Sequence, residues 1–489
     1  MSNEEKTLDS TAVEDKKRLN LLKILWPATE LGGGFNKAYF SIYVSYLYTN
    51  VYMMSVAFSS MLSLVQLVIG WVGQPIFATF LDRFSFKKAK YFPWISIGSI
   101  VVYACWMLIF ALPAVGVSGA SVGVVAFVLA CTISISGPMN TAPISAVYPQ
   151  LSADPADRQF FARWQKIGRD GGKTVFGLIV PIMLAYFTAS MGDTNAYAIL
   201  GLIIGLITIM FYQALAWFGL RGSYVERNAV ARDRTATGEK KKGLSLGQVL
   251  KTVGTNRPLL SMYLFMSIHK GYYFIYTSAA MYIFTYVFKN MMYMATFMFV
   301  FNLLAIIGVT FGSLWKMIFK ETKRCFVSCM AVHVALLLVI AIFFNRISAP
   351  TFIFLFGASS FFMGLLENYV MPMFAASADY GAWKSGNRLD GLTMSIYSLS
   401  ITTGSLISTL ARSAFLIAVG LDAVIADPTL ADAAFAAKMG NLFSWVPFAM
   451  GVVSLLFLNF GFNLNDTRIA NINADIKNGV RQAESANKF

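Results

Sequence analysis

Long apolar segments alternate with short polar segments along the whole chain. Each apolar segment is long enough to cross a bilayer, which takes about 20 residues of helix. The segments start near Ile24, Val56, Trp94, Val122, Gly171, Ala196, Leu259, Met291, Phe326, Thr351, Leu392 and Leu442. The pattern therefore predicts an all-α integral membrane protein with twelve transmembrane helices.

The longest polar segment lies between the sixth and seventh apolar segments. It runs from Arg221 to Arg257, contains the charged run Glu239 to Lys242 and has few large apolar residues, as is typical of a linker. It therefore predicts two six-helix bundles. The expected boundaries are a cytoplasmic tail at 1–23, a first bundle at 24–220, a cytoplasmic linker at 221–257, a second bundle at 258–462 and a cytoplasmic tail at 463–489.

Composition and charge agree with a membrane protein. Of the 489 residues, 57% are hydrophobic and only 13% are charged, which excludes an ordinary soluble domain. The net charge of +15 comes from Lys and Arg in the connectors, mainly the even-numbered ones. By the positive-inside rule, both termini are then cytoplasmic. Because the basic residues are spread over connectors and do not form one folded surface, we expect no nucleic-acid partner.

Enzymatic and metal-binding chemistry finds little support in the sequence. The four cysteines lie in or beside apolar segments, where packed thiols are favoured over a disulfide framework. The chain contains no nucleophile elbow, zinc-ligand spacing or phosphate-binding loop. We therefore expect no enzymatic activity, no cofactor and no metal.

Ionisable residues inside the apolar segments are the candidates for function, because a charge at mid-bilayer costs about 2.5 to 3.5 kcal/mol. On helix one, Glu30, Gly33, Gly34 and Lys37 recur at helical spacing, with Asn36 at the border of this face. Asn36 and Lys37 can bind a ligand hydroxyl or anion, and the glycines permit close approach. In the alternative interpretation, Glu30 and Lys37 neutralise each other, or Lys37 extends to the membrane surface.

Further polar positions occur on helices five, seven and eleven. Lys166 and Asp170 share one face of helix five, which suits either a polar site or a salt-bridge network. Tyr273 belongs to a Tyr-rich stretch that suits the face of a sugar. Ser398 and Thr402 recur at helical spacing, as in a water-filled cavity or a tight seam between helices.

One carboxylate lies deep in the tenth apolar segment. Glu367 can accept hydrogen bonds from hydroxyl groups or carry a proton, since burial favours the neutral form of a carboxyl group. A purely structural pairing with Lys270 or Lys37 is the alternative.

Four stretches carry a resemblance to a known family. DYGAWKSGNRLDG, which begins at Asp379, resembles the DYGEWKTGxRxxG signature of the glycoside-pentoside-hexuronide:cation symporters, the relatives of melibiose permease. LDRFSFKKAKYFPWISIG and AVYPQLSADPADRQ resemble that family's loops between helices two and three and between helices four and five. ELGGGFNKAYF is similar to the start of its helix one.

The resemblance implies the major facilitator fold, in which two six-helix bundles enclose a site near the membrane midplane, and a sugar-type substrate. It implies a basic residue near the sugar at Lys166, and it aligns Glu367 with an aromatic residue that contacts sugar. The cytoplasmic loops would form a gate. The gate candidates are Asp82, Arg83, Arg158, Asp379, Lys384 and Arg388.

The chain departs from this family at the cation site. The family has acidic residues on helices two and four, whereas the matching positions here include Gly70, Gln74 and Thr141. Thr402 stands where the family has a lysine late in helix eleven. Without its carboxylate ligands a sodium site is not expected, and we expect Gln74, Thr141 and Thr402 to contact the substrate.

Proton coupling through Glu30, Asp170 or Glu367 is then the predicted route to symport. The alternatives are an uncoupled uniporter and a carrier of an anionic sugar or another organic anion. From a different class, a lipid transporter or a non-transporting sensor can share the same fold. We expect a monomer in the bacterial cytoplasmic membrane, with a sugar, glycoside or hexuronide and a proton as its partners.

Overall fold

The computed structural model describes residues 3–83, 91–147, 151–152, 155–221, 224, 254–385 and 390–478. These residues are almost entirely helical, and no strand occurs among them. The chain divides into two compact units, Met1–Lys240 and Lys241–Phe489. The division falls inside the segment that the sequence predicts as a linker, most of which lies outside the described residues.

The first unit contains six long helices within its described part, which we number in chain order. They are α1 (Asn3–Tyr46), α2 (Val56–Arg83), α3 (Phe92–Ala111), α4 (Ala120–Val147), α5 (Pro155–Met191) and α6 (Asp193–Ala214). Two of them begin earlier than expected. α1 starts inside the predicted tail, and α5 starts at Pro155 with Asp157 in its first turn, two residues that favour a helix N-terminus.

The second unit contains another six long helices within its described part. They are α7 (Arg257–Tyr282), α8 (Met292–Thr310), α9 (Thr322–Phe343), α10 (Ala349–Ser385), α11 (Asp390–Val419) and α12 (Ala433–Gly461). Shorter helices occupy Gly312–Phe319, Leu421–Ala426 and Asp466–Lys477. We call the first of these the junction helix, because it joins α8 to α9, and the last the C-terminal helix.

Ten of the long helices in the described residues are long and apolar enough to cross a membrane. α1 and α7 are not among the ten. Both carry ionisable residues inside their apolar segments, Glu30 and Lys37 in α1 and Lys270 in α7, and α1 also has a charged first half. Their lower hydropathy therefore coincides with the candidate functional positions.

Aromatic side chains form the core of each unit. In the first, Tyr39 of α1 packs against Phe110 of α3 with ring centroids 4.7 Å apart, and its hydroxyl donates to the carbonyl of Tyr197 at 2.7 Å. In the second, Phe356 of α10 lies 4.6 Å from the ring of Tyr276. Such ring pairs add specific geometry to the buried apolar area, so each unit has a core of its own.

α1 and α7 end in the same unusual way. A π-helical turn continues each of them, Leu47–Val51 after α1 and Ile283–Val287 after α7. Each turn is followed by a non-glycine residue with positive φ, Met53 at 53° and Lys289 at 49°. The left-handed conformation costs such a residue about 1 to 2 kcal/mol, so the two units share a strained helix end.

This strain predicts that Lys289→Gly is more stable than Lys289→Ala by about 1 kcal/mol, because only glycine adopts positive φ without steric cost. Both variants lose the lysine side chain, so their difference reports on the backbone alone. The melting temperature of the purified protein in detergent measures it. Gly192→Ala, at φ 82°, is the control and is expected to destabilise. A glycine variant no more stable than the alanine variant would contradict the left-handed conformation.

Candidate functional site

The contact between α1 and α5 positions the candidate residues of the first unit. A Cβ added at Gly34 would lie 2.5 Å from the carbonyl oxygen of Arg169, and one added at Gly172 would lie 2.5 Å from the carbonyl oxygen of Leu31. The two backbones are therefore in direct contact, as small residues allow in membrane helices. Gly34, which the sequence suggested as room for a ligand, serves helix packing.

This close approach brings Glu30 against α5. Arg169 donates from Nε and Nη2 to Glu30 Oε2 at 2.9 and 2.6 Å, and Gln165 Nε2 donates to Oε1 at 2.8 Å. The Glu30 side chain is only 9% exposed. Its cation partner is Arg169, and not Lys37 as the alternative interpretation of the sequence had it.

Lys37 lies two turns further along α1, on an exposed position. It lies within electrostatic range of Lys173, Arg169, Glu30 and Asp170. Asp170 pairs with Lys173 at 3.2 Å on the surface of α5. Among the described residues Lys37 makes no hydrogen bond or ion pair. With Lys37, Arg169 and Lys173 against Glu30 and Asp170, the cluster has one cation more than carboxylates.

The remaining candidates of the first unit form uncharged contacts. Thr141 Oγ1 of α4 donates to Gln74 Oε1 of α2 at 2.9 Å. The structure thus brings together two positions at which the resembling family has cation ligands, and it joins them by a neutral hydrogen bond. Asn36 lies in hydrogen-bond contact with Tyr103 of α3.

The second unit contains an ion pair inside its helices. Lys270 Nζ of α7 donates to Glu367 Oε1 of α10 at 2.5 Å. Gly404 lets α11 approach α7 at this level, because a Cβ there would lie 2.7 Å from the Cβ of Lys270. The structural pairing considered from the sequence is therefore present, and it leaves 26% of the Glu367 side chain exposed.

Aromatic and hydroxyl side chains surround this pair. The Lys270 ammonium lies 5.5 Å from the ring centroid of Tyr273, within the range of cation–π attraction. Tyr397 of α11 lies within electrostatic range of both charged partners. One residue beyond it, Ser398 is exposed, while the Thr402 hydroxyl donates to the Ser398 carbonyl at 3.3 Å.

Most of the Tyr-rich stretch belongs to the core. Tyr272 and Tyr276 are fully buried, as are His269 and His333. The His269 Nδ1 atom lies 2.5 Å from the Tyr272 hydroxyl, and the His333 Nδ1 atom lies 2.7 Å from the hydroxyl of Ser359. Tyr273 is therefore the tyrosine of this stretch that remains partly exposed beside Lys270.

One charged residue inside a membrane helix is not among the candidates predicted from the sequence. Arg412 of α11 is only 8% exposed, and among the described residues it makes no hydrogen bond or ion pair. Its position inside the eleventh apolar segment is the signal that should have singled it out, because an ionisable residue inside a spanning helix is a functional candidate.

The gate candidates are described only in part. Lys384 donates to the carbonyl of Thr255 at 2.9 Å, and Asp379 lies one and a half turns before it near the end of α10. Arg388 and the side chains of Asp82, Arg83, Arg158 and Lys166 lie outside the described part of the structure. The gate and the sugar contact of Lys166 stay predictions.

A second ion pair joins the middle of α1, at Lys23, to the start of α5, outside the apolar segments. Asp157 pairs with Lys23 at 2.7 Å and accepts a hydrogen bond from Ser152 at 2.9 Å. Burial alone raises the pKa of Asp157, but the bonds from Lys23 and Ser152 outweigh it, so the pKa lies below its ordinary value. Because the folded-state pKa is lowered, this stabilisation is present above about pH 4 and is lost in more acidic solution.

Comparisons with known proteins agree with this architecture. The family model for MFS/sugar transport proteins matches residues 28–466. An uncharacterized symporter, YjmB of Bacillus subtilis (strain 168), is 25% identical over 95% of this chain and 97% of its own. The isoprimeverose transporter of Lactiplantibacillus pentosus is 24% identical over 85% of this chain and 84% of its own.

A solved structure shows the same fold. The crystal structure of a D-xylose–proton symporter matches with a TM-score of 0.64 and 12% identity, over 90% of this chain and 96% of its own. The helices and these matches define a secondary transporter of the major facilitator fold, a multi-pass membrane protein. The chain belongs to the MFS/sugar transport protein family, which confirms the family and the fold that the sequence predicts.

We expect Glu30→Gln to destabilise the protein by about 1 to 3 kcal/mol, because it leaves the Arg169 charge without its carboxylate. Thermal unfolding in detergent measures the loss. Glu321→Gln is the matched control, since Glu321 pairs with the exposed Arg324 at the start of α9. Equal melting temperatures for Glu30→Gln and Glu321→Gln would contradict the structural role of the Glu30 contact.

Proposed function

We propose that this transporter moves a sugar-type solute together with a proton, and that Glu367 carries the proton. The observation that carries the proposal is the Lys270–Glu367 ion pair inside the second unit. A charged pair inside membrane helices is a functional hypothesis by default, because the lipid environment penalises charge. The isoprimeverose transporter and the D-xylose–proton symporter, as relatives or structural neighbours, support the sugar class of substrate.

The surroundings of the three candidate carboxylates favour Glu367. Glu30 accepts three hydrogen bonds and is nearly buried, so a proton would have to displace Arg169. Asp170 pairs with a neighbour on its own helix. Glu367 combines a partner on a different helix with a side chain that is 26% exposed, so that a proton can reach it and change a contact between helices.

Competition for Lys270 links the proton to the substrate. A proton on the Glu367 carboxylate breaks the ion pair and frees the Lys270 ammonium, whose N–H groups then donate to substrate oxygens. The ring of Tyr273 holds the ammonium in place. When the substrate leaves, Lys270 pairs again with Glu367 and the proton is expelled. Substrate and proton therefore bind together and leave together.

Alternating access supplies the transport step. In this fold two helical bundles rock around a site near the midplane. Asp379 and Lys384, near the end of α10, pair their charges with other cytoplasmic residues when that side closes. The basic connectors support cytoplasmic termini. Membership of a transporter family supports a protein without enzymatic activity, and we expect it to act as a monomer.

Uptake of labelled neutral sugars into proteoliposomes tests the role of Glu367. With one proton per sugar, a gradient of about one pH unit sustains at most about tenfold accumulation. The wild type is expected to approach this ratio, whereas Glu367→Gln only equilibrates the sugar, because its side chain no longer takes up and releases a proton. Exchange of labelled for unlabelled sugar is expected to persist in the variant.

The matched control is Glu321→Gln, which removes a carboxylate of the same unit outside the proposed site. It is expected to accumulate sugar like the wild type. Accumulation by Glu367→Gln equal to that of the control would exclude Glu367 as the proton carrier. Equilibration by the wild type itself under the same gradient would indicate a uniporter.

An anionic sugar is the second candidate substrate, and Lys37 favours it. Its cluster has one cation more than carboxylates, and the Lys37 ammonium has no bonding partner among the described residues. A carboxylate on the substrate would balance this charge in a medium of low dielectric constant. Arg412 adds a second cation without a partner in the described part of the other unit.

Lys37→Gln distinguishes the two substrate classes. A lost charge-assisted hydrogen bond is worth about 1.5 to 3 kcal/mol, so the half-saturation concentration for a hexuronate is expected to rise by tenfold or more. The half-saturation concentration for the matching neutral sugar is expected to stay unchanged. Lys23→Gln, in the same helix but outside the cluster, is the control. An equal effect on both substrates would contradict an anion contact at Lys37.

A further inference from the structure

A cavity of about 360 Å³ lies within the second unit, and neither Lys270 nor Glu367 lines it. The junction helix, the start of α9, the end of α10 and the C-terminal helix enclose it. Its polar lining consists of Lys316, Thr322, Lys323, Asp379, Asp466 and Asn473. The volume is in the range of small-molecule sites, which start near 300 Å³.

The junction helix is held firmly at the rim of this cavity. Trp315 Nε1 donates to Ser328 Oγ of α9 at 2.9 Å, and the Tyr369 hydroxyl of α10 donates to the Gly312 carbonyl at 2.6 Å. The chain then reverses at Lys320, which has a positive φ of 61°. The reversal brings Lys316, before the turn, and Lys323, after it, to the same cavity.

An apolar stripe occupies the outer face of the junction helix. Leu314, Met317 and Ile318 recur at helical spacing and are 52%, 73% and 67% exposed. Helices with apolar residues on one side and lysines on the other lie in the interface of a bilayer. The stripe therefore places the rim of the cavity beside lipid.

The lining has two lysines, Lys316 and Lys323, and two aspartates, Asp379 and Asp466, and the adjoining turn adds two cations and only one carboxylate, Glu321. Lys316, Lys320, Lys323 and Arg324 follow one another within nine residues. Of the nearby carboxylates, Glu321 pairs with Arg324 at 2.8 Å, and Asp466 accepts hydrogen bonds from the backbone N–H and the hydroxyl of Thr322, both at 3.1 Å. Lys316 donates to the Thr322 hydroxyl at 3.2 Å and makes no ion pair with a described residue.

We propose that this cavity binds the phosphate headgroup of an anionic phospholipid, and that the ammonium groups of Lys316 and Lys323 bind the phosphate oxygens. Basic pockets between membrane helices suit such headgroups, and each lysine near an anionic surface contributes about 1 kcal/mol. A free phosphate would use the same lysines. The exposed stripe favours a lipid, because acyl chains can lie along Leu314, Met317 and Ile318 while the headgroup enters the cavity.

The test is the change in melting temperature of the full-length protein in detergent on addition of short-chain phosphatidylglycerol. We expect a rise of about 3 °C for the wild type, since a ligand that binds only the folded state stabilises it. The double variant Lys316→Gln with Lys323→Gln should lose the rise. The double variant Lys316→Arg with Lys323→Arg, which keeps both charges, should retain it.

Three controls test whether the rise requires an anionic lipid and these two lysines. Phosphatidylcholine of the same chain length should produce no rise, and Lys438→Gln, an exposed lysine elsewhere in the unit, should respond like the wild type. An equal rise with inorganic phosphate at the same concentration would assign the cavity to a soluble anion and overturn the lipid proposal. A rise that survives in the glutamine double variant would overturn the assignment of the two lysines. The outcome is independent of substrate and of coupling.

Discussion

Charge placed inside membrane-spanning helices constrains this structure more than any other feature. Hydrocarbon cannot solvate an ion, so a carboxylate or ammonium there must be paired or must face water. Two ion pairs satisfy this requirement, and each joins two helices of the same unit. They are Glu30 with Arg169 in the first unit and Glu367 with Lys270 in the second. The first pair lies at a backbone contact that Gly34 and Gly172 allow, and in the second unit Gly404 lets α11 approach α7 beside Lys270. The charged residues therefore lie where helices pack closely against one another.

The two pairs differ in a way that separates structure from function. Glu30 is saturated by two bonds from Arg169 and one from Gln165, and its side chain is nearly buried. Such an arrangement stabilises one geometry. Glu367 is more exposed than Glu30, and Tyr397 lies within electrostatic range of it. Its partner Lys270 is 15% exposed and lies 5.5 Å from the ring centroid of Tyr273, which attracts the ammonium when the ion pair opens. This difference in exposure is the reason why we propose Glu367, and not Glu30, as the proton carrier.

Gln74 and Thr141 form a neutral contact between α2 and α4. Both residues occupy positions where the resembling family has carboxylates, and in this chain they complete each other with a hydrogen bond of 2.9 Å. An amide and a hydroxyl supply oxygen atoms but no negative charge, so they are poor substitutes in a site for a hard cation. Ionisable groups occur elsewhere, on α1, α5, α7 and α10, and the proposed coupling route follows them.

The sequence alone predicted the helical membrane fold and the family, because apolar length and motif spacing are local properties of the chain. Of the twelve spans that it predicted, ten are long and apolar enough in the described residues. It placed Glu367 deep in its segment, and it named Lys270 as one possible partner. It offered Lys37 and not Arg169 as the partner of Glu30, because that pairing depends on which faces of separate helices meet. It also missed Arg412. Only the tertiary structure shows that Gly34 belongs to a helix contact and that the junction helix and the C-terminal helix enclose a cavity. Contacts between residues far apart in sequence leave no pattern in the local sequence. The burial of apolar groups and the exclusion of charged groups from the bilayer do leave such a pattern.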